Sequence, residues 1–331
     1  HRLLELEMIA ARDAKNRERW LKATGAMQSM GQQFSRGEFL IIQLISLHYT
    51  KTAWRHYRRE LTEDSGMLTD SDLQDLAHRV AGYAGGGRLV QRIDTPMFFE
   101  DLLQRFYTDD GHGNGRLNPL YVAEAPGSAK SGNANSQRDG LSLSFGRKLK
   151  GAALSGIVAS RSELQQAMRE IEILEAEEAD KPLWERKIDP PSVLKQFVMK
   201  WQSSSWDRLR YAPVLKLLQP MISSGLDWRA NPAGEYATLH RDATLVTIAL
   251  TLHHRRHHEW PTELEQLTPG LLPEVPLDRF NGKPLKYKLV NSRPLLYSVG
   301  QNRLDDGGVP ASDPTKGDEA PDGDIRFWPV D

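Results

Sequence analysis

Aspartates set in glycine-rich turns are the residues of this chain whose types and spacing point most directly to chemistry. "YSVGQNRLDDGG" spans 297–308 and "DGDIRFW" spans 322–328. Carboxylates supply hard oxygen donors, and glycine lets a backbone turn tightly enough for carboxylates and carbonyls to converge on one ion. Such a stretch is either a solvated acidic tail or a loop folded around a cation. Residues 301–331 hold eight acids and three bases, whereas the whole chain carries a net charge of only −1. The closing Ile-Arg-Phe-Trp favours the loop, because disordered tails are poor in apolar and aromatic residues.

Other chemistry-bearing stretches have plainer readings. In "HHRRHH", residues 253–258, His253 with His257 and His254 with His258 lie one helical turn apart. That spacing can hold zinc or nickel, but a basic helix end favoured by the macrodipole is the simpler reading. "GYAGGGRLV" lacks the Lys-Ser/Thr of a phosphate loop and reads as a hinge. "EILEAEEAD" reads as a solvated helix face. "WRHYRRE" mixes bases and aromatics, yet reads as a surface helix with its aromatics turned inward. No nucleophile elbow, Walker motif or Ser-His-Asp order emerges, and a non-enzymatic protein is expected. The 331 residues include no cysteine, which excludes disulfides, thiolate metal sites and cysteine nucleophiles. Near-zero net charge gives no drive toward nucleic acid. The longest apolar run, residues 39–47, is shorter than a membrane span needs. The sequence begins with His1, so a preceding signal, anchor helix or tag is expected to have been removed.

The elements that must position these residues are mostly helices. Residues 3–34 and 35–61 show three-and-four apolar spacing without proline, and Ser35 with Glu38 has capping-box spacing. "LTDSDLQDLAHRVAGY" predicts a helix capped by Thr69 or Asp70 and ending at Gly82. "TPMFFEDLLQRFYTD" predicts a short helix with Pro96 in its first turn. "SRSELQQAMREIEILEAEEAD" predicts another, capped by Ser160 or Ser162. "IDPPSV" breaks the chain, and helices follow around "VLKLLQPMISSGL" and "GEYATLHRDATLVTIALTLHHRRHH". Residues 124–145 read as a flexible loop. "LKYKLV" and "PLLYSV" read as strands joined by a turn at "NSR". The expected fold class is mostly α with a small α+β end. A helical domain over 1–235 precedes a domain over 236–331, made of a helix and a short antiparallel sheet.

The last third carries four pieces in a telling order: "WPTELEQL", then "LPEVPLDRF", then "NGKPLKY", then "YSVGQN" with an acidic loop and "DGDIRFW". Together they resemble the globular end of the major pseudopilin of type II secretion. The resemblance covers roughly residues 236–331. It implies a helix packed on a short antiparallel sheet and a calcium loop. Its implied ligands are the Val299 carbonyl, Asn302, Asp322 and Asp324, then Asp305 and, after it, Asp306. Ile325 and Trp328 would pin the returning strand. Asn302 stands where the family usually has Asp, which leaves one charge fewer. The acidic loop, from Arg303 to Pro321, is longer than the family's, and the family's apolar N-terminal helix is not in the sequence. The whole arrangement also resembles membrane-anchored planctomycete-type proteins with a long helical region before such an end.

A second stretch, "DDGHGNGRLNP", resembles the first part of an EF-hand or dockerin loop. That likeness implies Asp110, His112, Asn114, the Arg116 carbonyl and Asn118 as a weaker calcium set. His is a poor calcium ligand, and Tyr121 stands where a bidentate Glu belongs. The functional expectation is a non-enzymatic structural or interaction protein of the cell envelope. It is calcium-stabilised, linked to secretion or a pilus-like assembly, and binds envelope protein partners. It would sit at the periplasmic face, anchored by a segment outside this sequence. The alternatives are a hydrolase with its site between the two domains, using His112 or the His253 cluster, and a carbohydrate-binding module using exposed tryptophans.

Overall fold

The computed structural model describes residues 1–35, 40–63, 66–83, 94–118, 155–186, 193–223, 233–313, 315 and 320–329. The expected hinge at 84–87 and flexible loop at 124–145 lie outside the described residues. Mostly helical, with one three-stranded antiparallel sheet, the fold is of the expected class. The described residues divide into two compact units. One comprises 1–91, 181–186 and 232–331, and the other 92–180 and 187–231. The sequence reading drew a single boundary near 235. The packing instead joins the first helices and the C-terminal sheet in one unit.

In the first unit, α1 (Arg2–Asp13) and α2 (Arg17–Phe34) replace the single helix expected over 3–34. The break comes from Asn16, whose side chain accepts the Arg19 N–H and caps α2. Next come α3 (Leu40–Glu63) and α4 (Asp70–Ala81). Ser35 does not cap α3: it ends α2, and its hydroxyl donates to the Gln32 carbonyl. Glu38 lies outside the described residues. Thr69 caps α4 as expected, in a reciprocal box with Asp72. Trp20, Met27, Trp54, Tyr57, Leu73 and Leu76 form the heart of this helical core.

The helix over Ala233–His257, here α9, lies between that core and a second one. Ile248 and Leu252 face the helical core, while Leu239, Val246 and Leu250 face the sheet. A helix buried on so many sides must satisfy its polar side chains internally. The hydroxyls of Thr244, Thr247 and Thr251 do so by donating to the carbonyls of His240, Ala243 and Thr247 at 2.7–2.9 Å. The sheet follows in the order β1 (Lys286–Val290), β2 (Arg293–Ser298), β3 (Ile325–Trp328). Val290 pairs with Arg293, so Asn291-Ser292 is a two-residue turn, and both residues have positive φ. That is the turn class whose twist matches a hairpin. Phe327 and Trp328 bury against Leu296 and α9.

A short strap, residues 181–186, belongs to this unit although it follows the helix over Arg161–Asp180. Leu183 enters the sheet-side core, and the Trp184 ring lies against Gly282. Arg303 donates to the carbonyls of Leu183, Trp184 and Arg186 at 2.6–3.3 Å.

The second unit contains α5 (Asp94–Phe106), α6 (Arg161–Asp180), α7 (Val193–Trp201) and α8 (Ser205–Ser223). Ser160 caps α6 in exchange with Glu163. Sequence periodicity did not separate α7, and α8 begins earlier than "VLKLLQPMISSGL". Leu103, Leu164, Met168, Phe197, Trp201 and Val214 belong to this unit's own core.

Candidate functional site

The long acidic loop between β2 and β3 is folded over its described length, and its centre is Asp324. Asp324 is only 3% exposed. Its carboxylate accepts the N–H of Gly308 at 2.6 Å and that of Asp306 at 3.4 Å. Its own N–H donates to the Val309 carbonyl at 2.7 Å. The loop arm 306–309 therefore wraps the residue that opens β3. Two glycines make the close approach possible. Gly300 and Gly323 both have positive φ, and a Cβ on Gly300 would stand 2.5 Å from the Gly323 carbonyl oxygen. Gly323 has no room for a Cβ either, because the Pro310–Ala311 backbone crosses there.

The remaining aspartates face different ways. Asp305 accepts from the Tyr297 hydroxyl at 2.9 Å and from the Gly307 N–H at 3.1 Å, and pairs with Lys286 at 2.9 Å. The Lys286 ammonium lowers its pKa. Asp306 accepts from the Asn302 side-chain amide at 2.9 Å, and Asn302 in turn accepts the Leu304 N–H. Asp322 accepts the Ser312 N–H at 3.2 Å. The register that pairs Ser298 with Ile325 puts Val299 opposite Asp324. Of the ligands implied by the resemblance, Asn302 is hydrogen-bonded to Asp306, the Asp306 backbone to Asp324, and the register sets Val299 across from Asp324. The structure turns Asp305 toward Lys286 and Asp322 toward the 312 arm.

Burial raises the Asp324 pKa, and the charges of Asp306 and Asp305 add to the rise, against the pull of the two amide bonds. A carboxylate buried beside two like charges is held at an electrostatic cost that a bound cation would relieve. The donor set is all oxygen, which fits calcium in type. Among the described residues no group of three or more His, Asp or Glu is arranged to hold a metal. An ion here would use Asp324, Asp306, Asn302 and the Val299 carbonyl, with further oxygens from backbone or water.

The EF-hand-like loop is built otherwise. Asp110 accepts the N–H groups of His112 and Asn114 at 2.8–2.9 Å, and these bonds lower its pKa. The Asn114 side-chain oxygen accepts from the Ser162 hydroxyl at 2.7 Å. The Arg116 carbonyl accepts from the Thr108 N–H and hydroxyl. The Asn118 N–H donates to the Phe106 carbonyl, and Tyr107 bridges to Leu117. The five positions lie in a tight turn fastened to the start of α6 by the Ser162–Asn114 bond.

Two residues organise the C-terminal lobe in roles the sequence does not assign them. Asp278, in "PLDRF", is fully buried. Its carboxylate accepts from the Ser298 hydroxyl and from the N–H groups of Val299 and Phe280 at 2.8–3.0 Å. It ties the turn before β1 to the end of β2, where the acidic loop departs. The signal was an acid between apolar residues, Leu277 and Phe280, next to a turn. Arg303, which holds the strap, gave no sequence signal.

Where the helical part meets the sheet within the first unit, the space is packed. Arg58 of α3, 2% exposed, donates to the His240 carbonyl at 3.2 Å and the Thr244 hydroxyl at 2.7 Å. Its guanidinium lies 5.4 Å from the centre of the Phe327 ring. The histidines offered for catalysis sit elsewhere: His112 on the exposed turn, and His253 and His257 at the exposed end of α9. Comparison with protein-family models, with curated proteins and with solved structures yields no match.

Proposed function

We propose that this chain is a non-enzymatic structural or interaction protein of the cell envelope, whose C-terminal lobe is tied together by calcium. The observation that carries this reading is Asp324, a buried carboxylate with like-charged neighbours at the centre of a folded acidic loop. The order of elements adds support: a long helix, a three-stranded antiparallel sheet, and the acidic loop entering its last strand. That is the order the pseudopilin resemblance implies, and it extends the reading to service beside a secretion or pilus-like assembly. The helical surfaces are the contact faces for envelope proteins. A net charge of −1 gives no global drive toward nucleic acid, which is not among the partners of this reading. No described helix is long and apolar enough to cross a membrane.

The test is thermal unfolding with calcium against chelator, on the wild type, Asp324→Asn and Asp306→Asn. An ion present at about 100 times its dissociation constant stabilises by roughly 2.7 kcal/mol. Calcium raises the midpoint of the wild type and much less that of either variant. No response in the wild type removes the calcium reading.

A second reading rests on a depression of about 240 Å³ in the second unit. Phe197, Trp201 and Tyr211 line it together with Glu163, Glu170 and Asp207. The Trp201 and Tyr211 rings stack at 4.9 Å. Aromatic faces flanked by carboxylates suit a sugar, and glycan quenching of tryptophan fluorescence, lost in Tyr211→Ala, would identify it.

A further inference from the structure

The end of α9 carries a pair of imidazoles whose geometry the calcium reading does not use. His253 and His257 are four residues apart, and their ring centres are 4.4 Å apart. An ion bound to two imidazoles through bonds of ~2.0–2.1 Å holds their nitrogens about 3 Å apart, a span that rings this close can meet. The His253 Nδ1 lies 3.3 Å from the Glu259 carbonyl oxygen. A carbonyl only accepts, so Nδ1 carries the hydrogen and the neutral ring keeps its lone pair on Nε2. Metal-binding imidazoles are oriented in this way, by giving their second nitrogen to a carbonyl or carboxylate. The His257 side chain makes no hydrogen bond among the described residues and is exposed.

The scaffold under the pair is firm. The His254 ring stacks on Trp260 at 4.0 Å, and Trp260 meets Trp328 of β3 edge-on at 5.1 Å. Arg255 is drawn away by the Leu68 carbonyl and Asp70. The pair spans the step into the last turn of a 25-residue helix, where the macrodipole favours positive charge.

We propose that His253 and His257 form a two-histidine site for a first-row divalent transition metal, completed by water. Imidazole donors select copper and zinc over calcium, and the affinity order for such donors places Cu²⁺ ahead of Zn²⁺. The site is distinct in place and donor type from the acidic loop. Metal held there fastens the last turn of the helix shared by both cores of the first unit.

The experiment is calorimetric titration of the untagged full chain with CuCl₂, ZnCl₂ and CaCl₂. It is repeated on His253→Gln, His257→Gln and, as control, His112→Gln, each checked for folding by circular dichroism. The expected result is Cu²⁺ bound more tightly than Zn²⁺, with no competition from Ca²⁺. Each α9 variant weakens Cu²⁺ roughly tenfold or more, and the control does not. Zn²⁺ also shields His253 and His257 from diethylpyrocarbonate, located by mass spectrometry, which a purely structural pair would not show. Unchanged Cu²⁺ affinity in the folded His253→Gln/His257→Gln double variant overturns the proposal, as does loss of binding in His112→Gln.

Discussion

Asp278 shows at the scale of one residue how this lobe spends polar groups. A fully buried carboxylate is unfavourable, and burial raises its pKa despite three hydrogen bonds to it. It persists because it answers two backbone N–H groups and one hydroxyl that the crossing of chain segments would otherwise leave bare. Asp278→Ala removes all three acceptor contacts at once. It should destabilise by about 2–4 kcal/mol, the range for breaking a buried hydrogen-bond network. Urea unfolding monitored at the sheet-side tryptophans measures this. A loss of only a few tenths would show that water replaces the side chain. Asp324 follows the same logic with one difference: its neighbours include other acids, whose charges add to the rise that burial gives its pKa.

Caps decide where helices begin, and α4 is the clearest case among the elements. Thr69 accepts the Asp72 N–H at 3.2 Å, and Asp72 accepts the Thr69 N–H at 2.7 Å. Arg17 of α2 donates its Nε–H to the same carboxylate at 2.7 Å, so one residue caps α4 and staples two helices. The Arg17 bond is the largest influence on the Asp72 pKa, and with the Thr69 bonds it lowers it to about 2 against the cost of burial. A pKa depressed in the fold means stability that is fully present above the ordinary carboxylate value of 3.8 and is lost as pH falls toward about 2. Asp72→Asn should therefore cost about 1 kcal/mol near neutral pH, as a weakened cap does. Its deficit against the wild type should shrink between about pH 4 and about pH 2. A deficit constant across that window would show that the charge contributes nothing.

For the whole molecule, the separation of cores sets how it comes apart. Every side chain of the second unit's core lies within 92–180 or 187–231. In the first unit, by contrast, α9 serves two clusters, with Leu245 and Leu271 packed against both. Trp201→Ala should remove about 3–5 kcal/mol from the second unit. Hydrogen exchange should then quicken across α5 to α8, while β1–β3 keep their protection. Equal loss of protection in the sheet would mean that the units unfold as one.

The sequence by itself determined what is local. Helical periodicity, caps narrowed to Thr69 or Asp70 and to Ser160 or Ser162, the two strands with their turn, and the glycines around the acidic loop all depend on neighbours within a few residues. Those forces act before tertiary contacts exist, so their signatures are written in short stretches. The same reasoning missed the break at Asn16 and ran α1 into α2, because the apolar spacing continues across it. What only the tertiary structure decided depends on groups far apart in the chain. Two of the three partners of Asp278 lie about twenty residues on, and the carbonyls that hold Arg303 lie 117–120 residues back. Composition could place the aspartates of 305–324 in one loop. Which of them faces Asp324 and which faces Lys286 follows from strand register and the close crossing at Gly300 and Gly323, and those are fixed only when the sheet packs on α9.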